Sequence, residues 1–296
     1  MDKIVVFLST YNGELYLEDQ LLSILSQKDV AVAIYARDDG STDGTINILE
    51  KYKRQGLLSY SVGKNLGPAW SFMELIYSAP KAPYYALCDQ DDIWEPYKLK
   101  HAITALQDQI GASLFYHAMD IVDENLQKYD YYYRNPAISK SLVNSVLYGD
   151  EIAGCSMVFN YELMKAIRKY KPTFITMHDG WIHRVCLCVG GTIVSSKIPE
   201  IKYRQHSTNA VGMKKKQLVQ YFRAVKEHNS YFSKLAMQMM IGYQSEMTSK
   251  ELNFLKCAAN YKNITNRVKL LKQAIVSDVG FENKVSVILK ILLGIF

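Results

Sequence analysis

Three carboxylates follow one another closely at the end of an apolar segment. Asp89, Asp91 and Asp92 come directly after Tyr84–Cys88, a run of apolar and aromatic residues. Holding so much negative charge together in a partly buried place costs free energy unless a cation compensates it. Mg²⁺ takes oxygen ligands, commonly one or two protein carboxylates together with the phosphates of a substrate. The Asp-x-Asp spacing therefore predicts a divalent-metal site, and an acidic loop that caps the following helix is the alternative.

Two more polar clusters follow segments that are typical of strands. Residues 3–9 and 30–36 are rich in β-branched and apolar side chains, as expected for buried parallel strands. The first segment leads into Ser-Thr-Tyr-Asn-Gly at 9–13, and the second leads into Asp-Asp-Gly at 38–40. Taken alone, the second cluster could be an ordinary turn. Because the carboxyl ends of parallel strands share one edge of a sheet, we expect these clusters to lie close to the aspartates.

The segments between the strands have the periodicity of helices. The predicted strands are 3–9, 30–36, 60–62 and 84–88, and the predicted helices are 15–27, 45–55 and 69–78. This alternation predicts an α/β fold with a doubly wound, mostly parallel sheet. The tyrosine-rich segment 129–133 predicts a loop or a flap near the acceptor, and long helices dominate from residue 214 onward.

Composition places the chain among globular proteins. Of its 296 residues, 49% are hydrophobic and 22% are charged, which suits one large α/β domain with a smaller appendage and excludes a disordered chain. Its five cysteines are odd in number and scattered, so we interpret them as reduced thiols of a cytoplasmic protein. Cys186 and Cys188 lack the second pair of ligands that a zinc site needs, so a place in the apolar core is the better interpretation.

Charge is distributed unevenly along the chain. Residues 1–200 hold 19 basic and 24 acidic side chains, whereas residues 201–296 hold 16 basic and 5 acidic side chains. A basic terminal third is typical of proteins that contact nucleic acid or anionic lipid. No segment reaches the roughly 18 consecutive apolar residues that are needed to span a bilayer. No nucleic-acid reader motif accompanies the basic charge, so we do not expect a nucleic-acid partner.

Four motifs in this order resemble those of family 2 glycosyltransferases, which are inverting enzymes with the GT-A nucleotide-diphospho-sugar transferase fold. The motifs are Ser-Thr-Tyr-Asn-Gly at 9–13, Arg-Asp-Asp-Gly-Ser-Thr-Asp at 37–43, Asn-Leu-Gly at 65–67 and Asp-Gln-Asp-Asp-Ile-Trp at 89–94. The resemblance implies a GT-A catalytic domain at 1–212, with nucleotide-sugar binding at 1–110 and the acceptor and base region at 111–212. A basic helical extension would follow at 213–296.

The resemblance also implies which residues meet the donor. In similar enzymes Thr10, Tyr11 and Glu14 lie against the nucleotide base, and Tyr11 stacks on it. Asp39 occupies the position that reads the imide N–H of the base. Asn65 could hydrogen-bond the nucleotide or its phosphates, or it could simply order the loop before Gly67.

The metal site has an implied ligand set. By resemblance, Asp91 holds a Mg²⁺ or Mn²⁺ ion that bridges the diphosphate, while Asp89 meets the ribose or the metal. Arg204 and His206 lie two residues apart on one side of an extended segment. They could face the diphosphate, with His206 as a further metal ligand. A surface strand without a chemical role is the alternative for this pair.

An inverting transfer also needs a base. A carboxylate must remove the proton of the acceptor hydroxyl while that hydroxyl attacks the anomeric carbon from the face opposite the leaving diphosphate. The family places an acidic residue just before the helix that follows the acceptor region, which implies Asp179. Similar chains more often carry Glu-Asp at this point, where this chain has His178 followed by Asp179. Asp179 could instead, or in addition, serve as the N-cap of a helix that begins at Gly180.

The function that these features imply is sugar transfer from a nucleotide-diphospho-sugar to a polyprenyl-linked or oligosaccharide acceptor in surface polysaccharide synthesis. Chains with Asp-Gln-Asp-Asp-Ile-Trp often resemble rhamnosyltransferases that use dTDP-L-rhamnose, although UDP-hexoses fit the same motifs. The mixed basic and apolar segments 214–235 and 284–296 predict peripheral attachment to the anionic inner face of the plasma membrane. Packed helices with a solvated basic face are the alternative.

Two other functions were weighed against this one. A nucleotidyltransferase would need a glycine-rich, basic loop after the first strand, and residues 9–14 contain one glycine and neither lysine nor arginine. A catalytically idle sugar-binding or scaffolding subunit of an assembly complex remains the second hypothesis, although the joint presence of Asp39, Asp89, Asp91 and Asp179 argues against it.

Overall fold

A mixed sheet of nine strands forms the centre of the computed structural model, which describes residues 1–134, 136–149, 152–206 and 231–294. The strands are β1 (Asp2–Thr10), β2 (Val30–Asp38), β3 (Leu58–Val62), β4 (Tyr84–Cys88), β5 (Ile93–Trp94), β6 (Ser113–Val122), β7 (Lys128–Tyr132), β8 (Met157–Asn160) and β9 (Thr192–Arg204). Their order in the sheet is β3-β2-β1-β4-β8-β6-β9-β5, and β7 pairs with β6.

Helices cover both faces of this sheet. They are α1 (Leu17–Leu25), α2 (Thr45–Arg54), α3 (Gly67–Ser78), α4 (Lys98–Leu106), α5 (Pro136–Ser139), α6 (Leu142–Tyr148), α7 (Tyr161–Lys169), α8 (His178–Cys188), α9 (Tyr231–Tyr243), α10 (Ser249–Ala259), α11 (Ile264–Val276) and α12 (Phe281–Leu293). A short 3₁₀ turn occupies Gly154–Ser156, directly before β8. The alternation of strand and helix predicted for the first 88 residues is confirmed, and so is the helical character of the described part of the C-terminal region.

The first half of the sheet is parallel, which brings the polar clusters to one edge. β1 lies between β2 and β4 and runs parallel to both. Leu8 is paired with Cys88, and Thr10 is paired with Asp38, so these strands end at nearly the same level. The loops that begin at Tyr11, Asp39 and Asp89 therefore leave the sheet side by side, as expected for the ligand-binding edge of a doubly wound fold.

Side chains of β1 alternate between two apolar cores. Val5 and Phe7 belong to the core under α3 and α8, whereas Ile4, Val6 and Leu8 belong to the core under α1 and α4. This two-residue alternation along residues 4–8 of β1, all of which are buried, is typical of a parallel strand covered on both faces. The first core continues into α9–α12 through apolar side chains that include Leu235, Tyr243, Leu255, Leu270 and Ile291.

Two predictions about less regular segments have a structural outcome. Cys186 and Cys188 are buried in the apolar core, as predicted. The loop predicted at 129–133 is wrong, because residues 128–132 form β7, which is antiparallel to β6. Tyr131 and Tyr132 find cross-strand partners in Asp120 and Met119, so hairpin pairing with β6 overrides the loop character of the local sequence.

The described residues contain no helix that is long and apolar enough to cross a membrane. The basic segment predicted at 214–235 falls mostly in 207–230, outside the residues that the structure describes.

Candidate active site

The loop after β4 concentrates carboxylates at the edge of the sheet. Asp92 is fully buried, and its Oδ1 accepts a hydrogen bond from the backbone N–H of Arg204 at 3.1 Å. Its Oδ2 has no hydrogen-bond partner among the described residues. Asp91 is also buried, and Asp89 is half-buried. Asp89 and Asp92 lie with Cys155 in a group whose potential ligand atoms are all within 4.8 Å of one another.

Electrostatics at this loop favour a cation. Burial raises the pKa of Asp89, and the charges of Asp91 and Asp179 raise it further. Burial and the charges of Asp91 and Asp89 raise the pKa of Asp92 well above the usual value. Burial also raises the pKa of Cys155, so its sulfur stays a protonated thiol. The unpartnered oxygen of Asp92 and the surrounding carboxylates fit a hard divalent ion such as Mg²⁺ or Mn²⁺.

His206 reaches the same loop from the end of β9. Its Nε2 lies 2.8 Å from Oδ2 of Asp91, and this contact lowers the pKa of Asp91 against the larger, opposing effect of burial. The His206 ring packs on Tyr16, with the two ring centroids 4.7 Å apart. The structure thus brings together two of the predicted metal ligands, Asp91 and His206, which are 115 positions apart in sequence.

The contacts that the structure shows for Arg204 are with other residues of the chain. Its side chain is buried, its Nε donates to the backbone oxygen of Asp91 at 2.9 Å, and its Nη1 donates to the backbone oxygen of Glu124 at 2.9 Å. The guanidinium also lies 4.5 Å from the ring centroid of Tyr16. These contacts hold the aspartate loop and β9 together. Contact of Arg204 with a donor diphosphate stays a prediction.

Tyr11, one of the predicted base-binding residues, is open to solvent. About half of its surface is exposed (48%), as a stacking platform requires. Thr10 is buried, and its Oγ1 donates to Oδ2 of Asp38 at 3.0 Å. Oε2 of Glu14 accepts from the backbone N–H of Gly44 at 2.9 Å, just before α2. Thr10 and Glu14 therefore order the loops around Tyr11, and direct contact of either with a base stays a prediction.

Asp39 is buried beside the first turn of α3. Its Oδ2 accepts from the backbone N–H groups of Leu66 at 3.0 Å and Gly67 at 2.8 Å, and its Oδ1 pairs with Arg37. Asn65 accepts from the N–H of Gly67 at 3.1 Å, which agrees with the loop-ordering alternative for this residue. The position of Asp39 next to the loop of Tyr11 is consistent with base recognition, which stays a prediction.

Asp179 lies in the first turn of α8, close to the aspartate loop. The helix begins at His178 with Met177 at the N-cap position, so Asp179 is inside the helix and the N-cap alternative is wrong. One oxygen of Asp179 accepts from the N–H of Gly180 at 2.6 Å. A Cβ at Gly154 would lie 3.5 Å from the Cβ of Asp179, which places the 3₁₀ turn beside the predicted base. The next residue in that turn, Cys155, borders Asp89.

Sequence reasoning missed two residues at this site. The sequence does not predict that Cys155 lies beside Asp89 and Asp92. Gln90 bonds the backbone of Tyr11, with Tyr11 N–H donating to Oε1 at 2.8 Å and Nε2 donating to the Tyr11 oxygen at 3.0 Å. The signal for Gln90 in the sequence is its position as a polar residue between two aspartates.

Comparison with known proteins gives a match to one family model and to relatives named as glycosyltransferases. Residues 5–170 match the family described as Glycosyl transferase family 2. The chain is 30% identical to the dTDP-rhamnosyl transferase RfbG of Shigella flexneri over 251 residues, covering 77% of this chain and 81% of the relative. It is 30% identical over 112 residues to the putative teichuronic acid biosynthesis glycosyltransferase TuaG of Bacillus subtilis, covering 37% of this chain and 44% of TuaG.

Solved structures show the same fold at low identity. TarS 1-349 of S. aureus in complex with UDP-GlcNAc superposes with a TM-score of 0.62 at 16% identity, covering 99% of this chain and 82% of that chain. The mannosyltransferase PcManGT of Pyrobaculum calidifontis, in complex with GDP-Man and Mn²⁺, superposes with a TM-score of 0.50 at 14% identity, covering 99% of this chain and 80% of that chain.

Proposed function

The chain belongs to glycosyl transferase family 2, and from that premise we propose that it transfers a sugar, with inversion, from dTDP-L-rhamnose to a hydroxyl of a lipid-linked glycan. One observation supports this function best: a predicted metal ligand, Asp89, and the predicted base, Asp179, both lie beside the same 3₁₀ turn. Asp89 lies beside Cys155 of the 3₁₀ turn, and Asp179 lies beside Gly154 of the same turn and raises the pKa of Asp89. Asp91, which contacts His206, follows Asp89 in the same loop.

Support for the donor comes from the relative named a dTDP-rhamnosyl transferase, because this chain covers 81% of that relative at 30% identity. The structures with UDP-GlcNAc and with GDP-mannose are too distant in sequence to indicate a donor, and they support the fold. A UDP-hexose therefore remains the alternative donor.

Each residue has a proposed task in the transfer. Tyr11 stacks on the base, and Asp91 with Asp89 and His206 holds Mg²⁺ or Mn²⁺, which when bound neutralises the charge that develops on the leaving diphosphate. Asp179 accepts the proton of the acceptor hydroxyl as that oxygen bonds to the anomeric carbon and the bond from that carbon to the diphosphate breaks. Such a displacement needs one base and forms no covalent intermediate with the protein.

The proposed acceptor is polyprenyl-linked, which would place the protein at the inner face of the plasma membrane in surface polysaccharide synthesis. The C-terminal helices support this location. α11 and α12 carry nine large apolar side chains that are exposed: Ile264, Val268, Ile275, Val276, Phe281, Val285, Leu289, Leu292 and Leu293. Lysines at 269, 272, 284 and 290 belong to the same two helices. Helices that combine exposed apolar and basic side chains can lie in the headgroup region of an anionic bilayer.

A donor panel tests the proposed activity. Purified protein is heated with dTDP-L-rhamnose or with several UDP-hexoses, in the presence and absence of Mn²⁺. A ligand that binds the folded state must raise its melting temperature. We expect stabilisation by dTDP-L-rhamnose that depends on the metal. Asp91→Asn should lose this stabilisation, and Asp108→Asn, which changes an exposed aspartate, should keep it.

Turnover separates a transferase from an idle binding subunit. The assay measures release of the nucleoside diphosphate, by hydrolysis or by transfer, from the donor that the panel identifies. Asp179→Asn should keep the metal-dependent stabilisation and lose turnover by about two to four orders of magnitude, which is the usual contribution of a general base. Stabilisation without turnover in the wild-type protein would favour the idle subunit, and no stabilisation by any nucleotide sugar would contradict both functions.

A further inference from the structure

We propose that Gln90 is a positioning residue for the donor, because it fixes the loop of Tyr11 to the loop that carries the aspartates. This inference rests on the proposed function, since it assigns a task in donor binding. Gln90 lies between Asp89 and Asp91 in sequence, but its side chain turns to the neighbouring loop, where it bonds the main chain of Tyr11.

The two hydrogen bonds extend the pairing of β1 and β4 beyond the end of the strands. Backbone pairing between these strands runs from Ile4 and Tyr84 to Leu8 and Cys88. The carboxamide of Gln90 then accepts from the N–H of Tyr11 at 2.8 Å and donates to its carbonyl at 3.0 Å. A primary amide carries an acceptor oxygen and a donor NH₂ group in a single plane, so it can satisfy both main-chain groups of one residue.

Gly13 makes room for this contact. A Cβ at Gly13 would lie 2.3 Å from Oε1 of Gln90 and 2.5 Å from its Cδ, closer than any side chain could be accommodated without movement of Gln90. The preceding residue, Asn12, has a φ of 48°, which is the left-handed conformation of a tight turn. The loop therefore passes so close to Gln90 that a side chain at position 13 would displace the Gln90 carboxamide.

The opposite side of the same loop is held by the segment before α2 and by the first residue of that helix. The N–H of Asn12 donates to Oγ of Ser41 at 2.9 Å, and the N–H of Gly13 donates to Oγ1 of Thr45 at 2.8 Å. Gln90 provides the contact on the side of the aspartates. With both sides held, the main chain of Tyr11 is fixed while its ring stays open to solvent.

A nucleotide-sugar would touch both of the loops that Gln90 joins. In the proposed function its base stacks on Tyr11, and its diphosphate meets the ion held at Asp91. Gln90 is next to Asp91 in the chain and is hydrogen-bonded to Tyr11. It therefore sets the distance between Tyr11 and Asp91 before the donor binds. Binding groups that are already in place avoid the ordering cost that a mobile loop would add.

Hydrogen exchange tests whether Gln90 holds the loop. Gln90→Met keeps the approximate length of the side chain and removes both hydrogen bonds. We expect faster amide exchange in peptides that cover residues 9–16 of this variant than in the same peptides of the wild-type protein. The control is Gln109→Met, which changes a glutamine that follows α4 and donates to the backbone oxygen of Ala105. Equal exchange in Gln90→Met and wild type would overturn the inference.

A double-mutant cycle tests whether Gln90 acts through Tyr11. The dissociation constants of dTDP and UDP are measured with Mn²⁺ for wild type, Gln90→Met, Tyr11→Ala and the double variant. Loss of two neutral hydrogen bonds should weaken the binding of the nucleotide that the wild-type protein prefers by about tenfold. In the Tyr11→Ala background the same change should have less than about twofold effect, because coupled residues are not additive.

The results that would overturn the role of Gln90 differ from those that would contradict the proposed function. Equal weakening by Gln90→Met in both backgrounds would overturn the inference, since Gln90 would then act on the metal site or on the fold. Mn²⁺ titration without nucleotide should give the same affinity for Gln90→Met and wild type, and a matching loss of Mn²⁺ affinity would also overturn it. Absence of any nucleotide binding in the wild-type protein would contradict the proposed function, while the exchange experiment would still decide whether Gln90 holds the loop.

Discussion

The surrounding protein disfavours the ionised forms of two carboxylates at the site, Asp89 and Asp92. Asp92 is fully buried, with one oxygen unpartnered among the described residues, and Asp89 stands close to it. Burial and mutual repulsion raise the pKa of both groups, so negative charge in this loop costs folding free energy. Sites that are optimised to receive a ligand often carry such a cost, and replacing the group then stabilises the empty protein.

The pH dependence of stability follows from the pKa of Asp89. Burial, Asp91 and Asp179 raise that pKa from 3.8 to about 7. The folded chain therefore binds this proton more tightly than the unfolded chain, so the stabilisation is full below the unfolded value and is lost as pH rises through about 7. Asp89→Asn removes this dependence. Without metal, we expect wild type to lose stability relative to the variant by up to about 1.4 kcal/mol per pH unit between about pH 5 and 7.

Urea denaturation at a series of pH values, in the presence of a chelator, measures this difference. Asp108→Asn is the matched control, because Asp108 is exposed and lies outside the site. Its stability should follow that of the wild-type protein at every pH. Parallel curves for Asp89→Asn and wild type would contradict the prediction and would mean that Asp89 carries no strained charge in the folded protein.

Among the elements, those of the first 88 residues could be predicted and those of the later sheet could not. β1, β2 and β4 with their intervening helices follow from local periodicity, and the edge that collects Tyr11 and Asp89 follows from their parallel order. The antiparallel insertion of β8 between β4 and β6 depends on contacts between distant residues, which leave no local pattern. The same holds for the bonds of Gln90 to Tyr11 and of His206 to Asp91, which join positions 79 and 115 residues apart.

The junction between the 3₁₀ turn and α8 sets the position of the proposed base. A Cβ at Gly154 would lie 2.7 Å from Nε2 of His178, and the His178 ring is stacked on Phe72 with centroids 4.0 Å apart. Burial lowers the pKa of His178 to about 3, so the ring is neutral and packs as an aromatic side chain. Because the ring is enclosed between Phe72 and the turn, an added methyl group must displace the start of α8, where Asp179 lies.

Gly154→Ala is therefore expected to lower turnover more than nucleotide binding. A displacement of about 1 Å at a reacting group can reduce the rate by about a hundredfold, and overpacking costs about 1 to 3 kcal/mol of stability. We expect kcat to fall at least about tenfold, while the dissociation constant of the nucleotide with Mn²⁺ changes less than about threefold. Gly280→Ala is the control, because a Cβ there meets no atom within 4 Å. Unchanged kcat in Gly154→Ala would show that the turn does not position Asp179.

At the scale of the whole molecule, charge and apolar surface are concentrated in the C-terminal third. Residues 201–296 carry 16 basic and 5 acidic side chains, while the preceding 200 residues carry an acidic excess. The nine exposed apolar side chains of α11 and α12 belong to the same third. Isolated apolar residues are common on protein surfaces, whereas contiguous apolar patches are typical of interaction sites. Attraction of basic side chains to an anionic surface would add to burial of these apolar groups.

Binding to lipid vesicles separates this role from a solvated helical appendage. The intact protein should sediment with vesicles that contain phosphatidylglycerol and much less with vesicles of phosphatidylcholine, and added salt should weaken the binding because it screens the basic side chains. Phe281→Glu combined with Leu289→Glu should abolish it, since both side chains are exposed on α12 and both changes add negative charge. Ile110→Glu changes a still more exposed apolar residue outside these helices, and this variant should bind vesicles as the wild-type protein does. If the wild-type protein ignored anionic vesicles, or if the α12 variant bound them equally well, the helices would have no role at a lipid surface.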